Sequence, residues 1–173
     1  MAEQFALKTG QDKLSRSHYK TFIDSSFGGE TAAWFKLGRD NDDLSTDLNP
    51  TVTTTRNVWD ETESVLEGYE PSMSLDKYLA RKNDAIYSHI KDIAFNRLTD
   101  DGSIKTTFME VIIDKTEAPF DAWTEDCIVV PQSTGGGTDG VDIPFEIHLK
   151  GNRKSGTVTN TNGVPVFTEA ANG

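Results

Sequence analysis

A chain of 173 residues, 35% hydrophobic and 26% charged, is long enough to bury a conventional core without disulfides or metal ions. Its formal net charge of −11 disfavours tight DNA or RNA binding, because proteins that grip phosphates carry a basic surface. The single cysteine, Cys127, excludes an internal disulfide framework, and no apolar run approaches the roughly 20 residues of a membrane helix. The first five residues lack the pattern of a signal peptide, which predicts synthesis in a cytoplasm.

Residues 1–30 are mixed and polar. Residues 1–30 are interpreted as an N-terminal extension with two weak strands, Ala6–Leu7 and Tyr19–Ile23. A short apolar strand is predicted at Thr31–Leu37. The Asp-rich segment Gly38–Asn49 that follows is predicted to be a loop, ended by the restriction that Pro50 places on Asn49.

A long β-hairpin is predicted at about residues 51–74. Thr51–Trp59 is dense in β-branched residues, Asp60–Ser64 provides a turn, and Val65–Ser74 returns. Few of its residues alternate cleanly into a core, and a lone two-stranded hairpin is only marginally stable. We therefore expect this hairpin to need a partner, within the fold or in another subunit.

The acidic charge is concentrated in one part of the chain. Between Asp40 and Glu70 there are nine acidic residues and one basic residue, Arg56. This segment therefore carries −8 of the total charge of −11, and the rest of the chain is nearly balanced.

One amphipathic helix is predicted at about residues 84–97, with Asn83 as its N-cap. Its apolar stripe follows helical spacing and consists of Ile86, Ile90, Ile93 and Ala94.

The C-terminal half is predicted to be β. The strands are Lys105–Lys115, Asp126–Val130, the alternating segment Val141–Leu149, and a hairpin of Gly156–Asn160 and Val164–Thr168 around the turn Asn162-Gly163. The sequence thus predicts a mainly β (α+β) fold, a sandwich or barrel with one flanking helix. Residues 31–168 would form a single domain and residues 169–173 a frayed end.

Candidate catalytic and ligand-binding patterns are weak. Gln132–Gly140 is glycine-rich but has no lysine and precedes a strand, so a surface turn is favoured over a phosphate loop. The Asp40–Asp43 run lacks the spacing of a calcium loop. The three histidines, His18, His89 and His148, are too scattered for a zinc site. Cys127 begins an apolar run and is expected in the core, and neither enzyme activity nor a cofactor is expected.

An ordered set of segments resembles the major tail (tail-tube) protein of siphophages that infect Gram-positive bacteria. These segments are the Thr-rich strand and turn NPTVTTTRNVWDETE, the stretch VLEGYEPSMSLDKYLARKNDAIYSHIKDIAFNR, and the later VVPQSTGGGTDGVDIPFEIHLKGNRKSGTV. The resemblance covers roughly residues 35–168 and implies a β-sandwich that forms hexameric rings stacked into a tube.

The resemblance also implies roles for two segments. In that family a long hairpin lines the channel, so the candidate lumen residues are Thr51, Thr53, Thr55, Asp60, Glu61, Glu63 and Glu67. Loops bridge successive rings, so the candidate inter-ring residues are Asp40, Asp42, Asp43 and Asp47. The implied partners are other copies of the chain, a tape-measure protein, and the tail terminator and distal tail proteins. DNA would pass through the lumen without specific binding, and the protein would reside in the virion.

Two other readings compete with this one. A carbohydrate- or receptor-binding β-sandwich module would need a cluster of exposed aromatic side chains, for which Trp34, Trp59 and Trp123 are the candidates. A hydrolase built on His148 and nearby acids is the more remote alternative.

Overall fold

The computed structural model describes residues 12–171, so the strand predicted at Ala6–Leu7 lies outside the described residues. The prediction of a mainly β fold is confirmed. After a 3-10 helix at Arg16–His18, the elements in chain order are β1 Tyr19–Asp24, β2 Trp34–Lys36, β3 Thr46–Asp47, β4 Pro50–Arg56, β5 Thr62–Tyr69, β6 Ser72–Leu75, α1 Tyr87–Asn96, α2 Asp101–Ile104, β7 Lys105–Ile112, β8 Phe120–Pro131, β9 Phe145–Thr161 and β10 Val164–Glu169.

Eight of the ten strands form one antiparallel sheet in the order β2-β1-β7-β8-β9-β6-β3, with β10 also paired to β9. The 17-residue β9 is long enough to pair with β6 at one end and β10 at the other. The sheet curls strongly, since the Tyr19 hydroxyl of β1 lies 3.2 Å from Thr46 Oγ1 of β3. Strands at opposite ends of the sheet therefore come within hydrogen-bonding distance, which gives the sheet a barrel-like form.

The sheet buries apolar side chains on both faces. Successive strand residues point to opposite faces, and accordingly Phe108 packs in one core cluster while Met109 packs in another. The first cluster includes Ile90 of α1, so the helix covers that part of the sheet. The second cluster contains Phe120 and Val158. Burying each such side chain contributes about 1.5–3 kcal/mol.

Strand β1 lies within the sheet, although residues 1–30 are interpreted from sequence as an extension. It is paired to β2 on one side and to β7 on the other. Phe22 and Ile23 are almost fully buried, one in each core cluster. Two adjacent apolar residues are enough to anchor this strand, because both faces of the sheet are covered there. So short an apolar run has little periodicity from which a buried strand could be predicted. Residues 19–24 are therefore part of the sheet and not an arm.

The helix begins three residues later than predicted. Ile86 occupies the N-cap position, in place of Asn83, and Tyr87–Asn96 is helical. Asp84 instead accepts hydrogen bonds from Arg39 (3.3 Å) and from the Tyr78 hydroxyl (3.4 Å), so tertiary contacts hold this turn. The predicted apolar stripe is confirmed, since its three isoleucines are buried and Ala94 packs against the core.

The C-terminal strands differ from prediction mainly in length. β8 spans 12 residues, and β9 begins at Phe145 instead of Val141. The Asn162-Gly163 turn is confirmed, with φ of 53° and 83° as a type I′ turn requires. Glu169, placed from sequence in the frayed end, is paired with Gly156 of β9.

Candidate functional site

The projecting hairpin, Pro50–Tyr69, is the most exposed element of the fold. Its strands β4 and β5 pair with each other and with no other described strand. At its base, Asn49 Nδ2 donates to Glu70 O (3.0 Å) and Glu70 N donates to Asn49 O (3.3 Å). The predicted hairpin is confirmed with two changes. Its turn lies at residues 57–61 instead of Asp60–Ser64, and Ser72–Leu75 leaves the hairpin and joins the main sheet as β6.

The register of the hairpin defines two faces, both open to solvent. One face carries Val52 opposite Leu66, and the other carries Thr53 opposite Val65. These three apolar side chains are about half exposed or more. Soluble monomers rarely leave both faces of a two-stranded sheet uncovered, because such a sheet buries too little area to be stable.

The candidate lumen residues fall into three groups. Alternation along β4 places Thr51, Thr53 and Thr55 on one face, and Glu63 lies opposite Thr55. Glu67 lies at a β-bulge, where the register shifts between Thr51 and Val52. The remaining two, Asp60 and Glu61, are at the tip.

The acids at the tip are held by local contacts. Asp60 forms a 3.1 Å ion pair with Arg56. Glu61 Oε2 accepts a 2.7 Å hydrogen bond from Asn57 Nδ2, and Asn57 Oδ1 accepts from the backbone amides of Trp59 and Glu61. This turn orders the tip and leaves Val58 and Trp59 projecting from it.

The candidate inter-ring residues are not equivalent. Asp40 accepts two hydrogen bonds from Arg81, at 2.6 and 2.9 Å, and its side chain is only 10% exposed. These bonds from Arg81 hold the pKa of Asp40 below its usual value. Asp42, Asp43 and Asp47 are exposed. Asp40 is therefore engaged within its own chain, whereas the other three are exposed to solvent.

The helix groove is an apolar depression of about 480 Å³ between the C-terminal end of α1, α2 and the end of β8. Its apolar walls include Ile93, Leu98, Ile104 and Pro131. Arg97 is the only charged residue among those that line it, and none of the described carboxylates forms a salt bridge with Arg97.

The base groove, about 440 Å³, lies where the projecting hairpin leaves the sheet. Its apolar wall includes Leu48 and Tyr69, and its polar wall is a network that sequence reasoning missed. Arg153 bonds to Glu110 and, at 3.0 Å, to Glu125, whose side chain is only 7% exposed. These residues come from three different strands, so no local sequence pattern indicates that they are in contact.

The weak catalytic candidates lie on different elements of the fold. His89 stacks on Phe27 with ring centroids 4.5 Å apart, and exposed His148 lies 3.0 Å from Glu146. Buried His18 accepts a hydrogen bond from Ser15 N. Cys127 is in the core, and burial raises its pKa to about 12, so its thiol stays protonated at neutral pH. Within residues 12–171, no three His, Cys, Asp or Glu side chains gather as a metal site would need.

The three tryptophans lie on different elements. Trp59 is 80% exposed at the hairpin tip. Trp34 packs against the second core cluster, and the half-buried Trp123 has the Arg153 guanidinium 5.8 Å from its ring centroid. The helices in the described part of the chain are all too short or too polar to cross a bilayer.

Comparison with known proteins gives little. No family model matches the chain, and no curated protein matches it. Among solved structures, the cryo-electron microscopy structure of the tube-terminating cap of the anti-feeding prophage is similar, with a TM-score of 0.49 and 13% identity over 91% of this chain and 99% of that chain. A likeness of this size decides neither fold nor function.

Proposed function

We propose that this chain is a structural subunit of a phage tail, a tail-tube protein that assembles with copies of itself into stacked rings. The observation that carries the proposal is the projecting hairpin, which is exposed on both faces and whose two outer strand edges pair with nothing in residues 12–171. The resemblance of residues 35–168 to major tail proteins of siphophages supports the same function.

Ring formation would give the hairpin the hydrogen-bond partners and the apolar burial that it lacks in an isolated chain. Each strand edge presents unpaired N–H and C=O groups, and a neighbouring hairpin in a ring supplies their partners. The apolar residues Val52, Val65 and Leu66 then leave water against the same neighbour. Contacts of this head-to-tail kind close into a ring by rotation, and stacked rings continue into a tube.

The acidic residues of the hairpin suit a channel for DNA. DNA carries one negative charge per roughly 1.7 Å of its axis, and a basic lumen would hold it through counterion release. A lumen lined by acids such as Glu63 and Glu67 repels DNA and lets it pass. The acids at the tip contribute less than their number suggests, because Arg56 partly neutralises Asp60.

The remaining elements of the proposal follow from the tail-tube assignment. Rings of six subunits would surround a tape-measure protein that sets tube length, between the distal tail and terminator proteins. Asp42, Asp43 and Asp47 would meet the next ring. The protein would act by assembly, without catalysis, as part of the virion.

Electron microscopy of the purified protein over a range of concentrations tests the proposal. We expect rings or tubes at high concentration. A variant in which a short Gly-Ser turn replaces residues 51–68 should remain monomeric, because its base stays closed by Asn49 and Glu70 while the pairing edges are gone. Urea unfolding should show that its main sheet keeps wild-type stability.

Two results would contradict the proposal. One is a wild-type protein that stays monomeric at every concentration. The other is assembly of the shortened variant at the wild-type concentration, since the hairpin would then be dispensable.

A further inference from the structure

The tip of the projecting hairpin exposes two large apolar side chains. Val58 is 94% exposed and Trp59 is 80% exposed, whereas most apolar residues of the main sheet are buried. The hydrogen bonds of Asn57 hold the backbone of the turn that carries these side chains. Exposed tryptophan on such a turn is typical of an interface anchor, because it buries a large area with little loss of side-chain entropy.

The chain also offers two apolar grooves that such an anchor would fit. Both have volumes within the range of roughly 300–1,000 Å³ of protein binding pockets. The grooves differ in charge. The charged residues of the base groove are Glu110, Glu125 and Arg153, two acids and one base, whereas Arg97 is the only charged residue of the helix groove.

Charge decides between the grooves, because Asp60 and Glu61 follow Trp59 directly. Inserting the tip into the base groove would bring these acids against the buried Glu125 and the mostly buried Glu110, and Arg153 there is already bonded to both. In the helix groove the same acids would meet an arginine with no carboxylate partner among the described residues. Opposite charges at a partly buried contact attract and like charges repel, which favours the helix groove.

We propose that Trp59 of one copy inserts into the helix groove of a second copy, with Asp60 and Glu61 beside Arg97. The inference rests on the proposed self-assembly and names one contact that would sustain it. The occupant is a second copy because Asp60 and Glu61 beside Trp59 complement Arg97 of the groove in charge, while the exposed tip does not occupy the groove of its own chain. A tip-to-groove contact joins two different surfaces, so it can be repeated from subunit to subunit.

Disulfide trapping tests where the tip docks. Cys127 is fully buried, so the wild-type background contributes little thiol reactivity. A Val58→Cys protein is mixed with a size-tagged Ser133→Cys protein, whose new thiol lines the helix groove. The matched control replaces the latter with tagged Leu48→Cys, which places an exposed thiol in the base groove.

We expect the Val58→Cys and Ser133→Cys pair to cross-link at least about tenfold faster than the control pair, because docking raises the effective concentration of the two thiols. Equal rates, or faster reaction with Leu48→Cys, would overturn the proposed contact.

Assembly measurements separate this contact from self-assembly itself. Trp59→Ser should raise the concentration at half-assembly by about 30-fold, the effect of truncating an interface hot spot. Arg97→Glu should also weaken assembly, and Glu61→Arg should restore it in the Arg97→Glu background. Urea unfolding midpoints of the variants check that each subunit remains folded.

The outcomes are distinguishable. If the wild type forms rings and Trp59→Ser and Arg97→Glu form them at the same concentration, the tip contact is wrong and the proposed function stands. If the wild type does not assemble, both the tip contact and the proposed function are wrong.

Discussion

Asp40 shows how single residues of the acidic segment differ in their roles. Its carboxylate binds Arg81 twice and accepts a 3.2 Å hydrogen bond from Leu79 N. These contacts tie the loop before the projecting hairpin to the segment before α1. Leu44, buried in the first core cluster, holds the same loop at a second point. The loop is therefore anchored, and its exposed acids are presented from a fixed support.

The Arg81–Asp40 pair should make stability depend on pH. The pKa of Asp40 is lowered in the folded state, so the unfolded chain binds more protons in acid. The stabilisation is present above about pH 4, near the ordinary pKa of aspartate, and is lost as the pH falls through the lower folded value. Urea unfolding from pH 6 to pH 2.5 should show a shallower acid loss in Asp40→Asn than in the wild type. Parallel curves for the two proteins would contradict this account.

At the scale of elements, β9 and β10 pack closely at Gly156. A Cβ atom built on Gly156 would lie 2.2 Å from Thr168 O and 2.7 Å from the Phe167 ring. Phe167 packs against the second core cluster and so crosses over β9 at this point. Only glycine leaves room for that crossing while β10 keeps its register with β9.

Gly156→Ala should therefore destabilise the fold by about 1–3 kcal/mol, the usual cost of overpacking. Gly137→Ala is the matched control, because a Cβ there meets nothing within 4 Å, and we expect a change below about 0.5 kcal/mol. Urea denaturation measures both. Equal stabilities of the two variants would contradict this account, since β10 and the Phe167 ring would then shift at little cost to make room for the added Cβ.

The whole molecule combines a buried, curled sheet with one exposed hairpin. The polar interior of the base groove, where Arg153 joins Glu110 and Glu125, lies at the point where the hairpin leaves the sheet. An ion-pair network between three strands resists distortion there. The hairpin is thus attached to a rigid part of the sheet, which suits an element whose proposed partners are outside the subunit.

The charge of the hairpin gives a prediction for the assembled particle. In the proposed tube, replacing Glu63 and Glu67 with lysine should slow DNA release, because a basic lumen binds phosphates by counterion release. The effect should shrink as salt is raised. DNA release from purified particles, with tube integrity checked by electron microscopy, measures it.

A matched variant controls for net charge alone. It replaces two exposed acids outside the hairpin, Glu30 and Glu117, with lysine. Release at the wild-type rate is expected for this control. If both variants release DNA at the wild-type rate from intact tubes, the hairpin does not line the channel.

Local sequence patterns predict the elements whose contacts are close in sequence. The Thr-rich strands pair across a five-residue turn, the Asn162-Gly163 turn joins adjacent strands, and the stripe of α1 repeats within ten residues. In each case the partners lie within one hairpin or helix. Residue type alone then determines the structure, through β-branching, turn geometry and helical spacing.

Sequence by itself thus determined the mainly β class, the acidic hairpin and the single amphipathic helix. Only the tertiary structure decided that Tyr19–Asp24 is a sheet strand, that Arg81 engages Asp40, and that the two apolar grooves carry opposite charge. The physical reason is separation along the chain. Tyr19 pairs with Ile112, and Arg153 reaches Glu110, only after strands that are distant in the sequence have come together in the sheet.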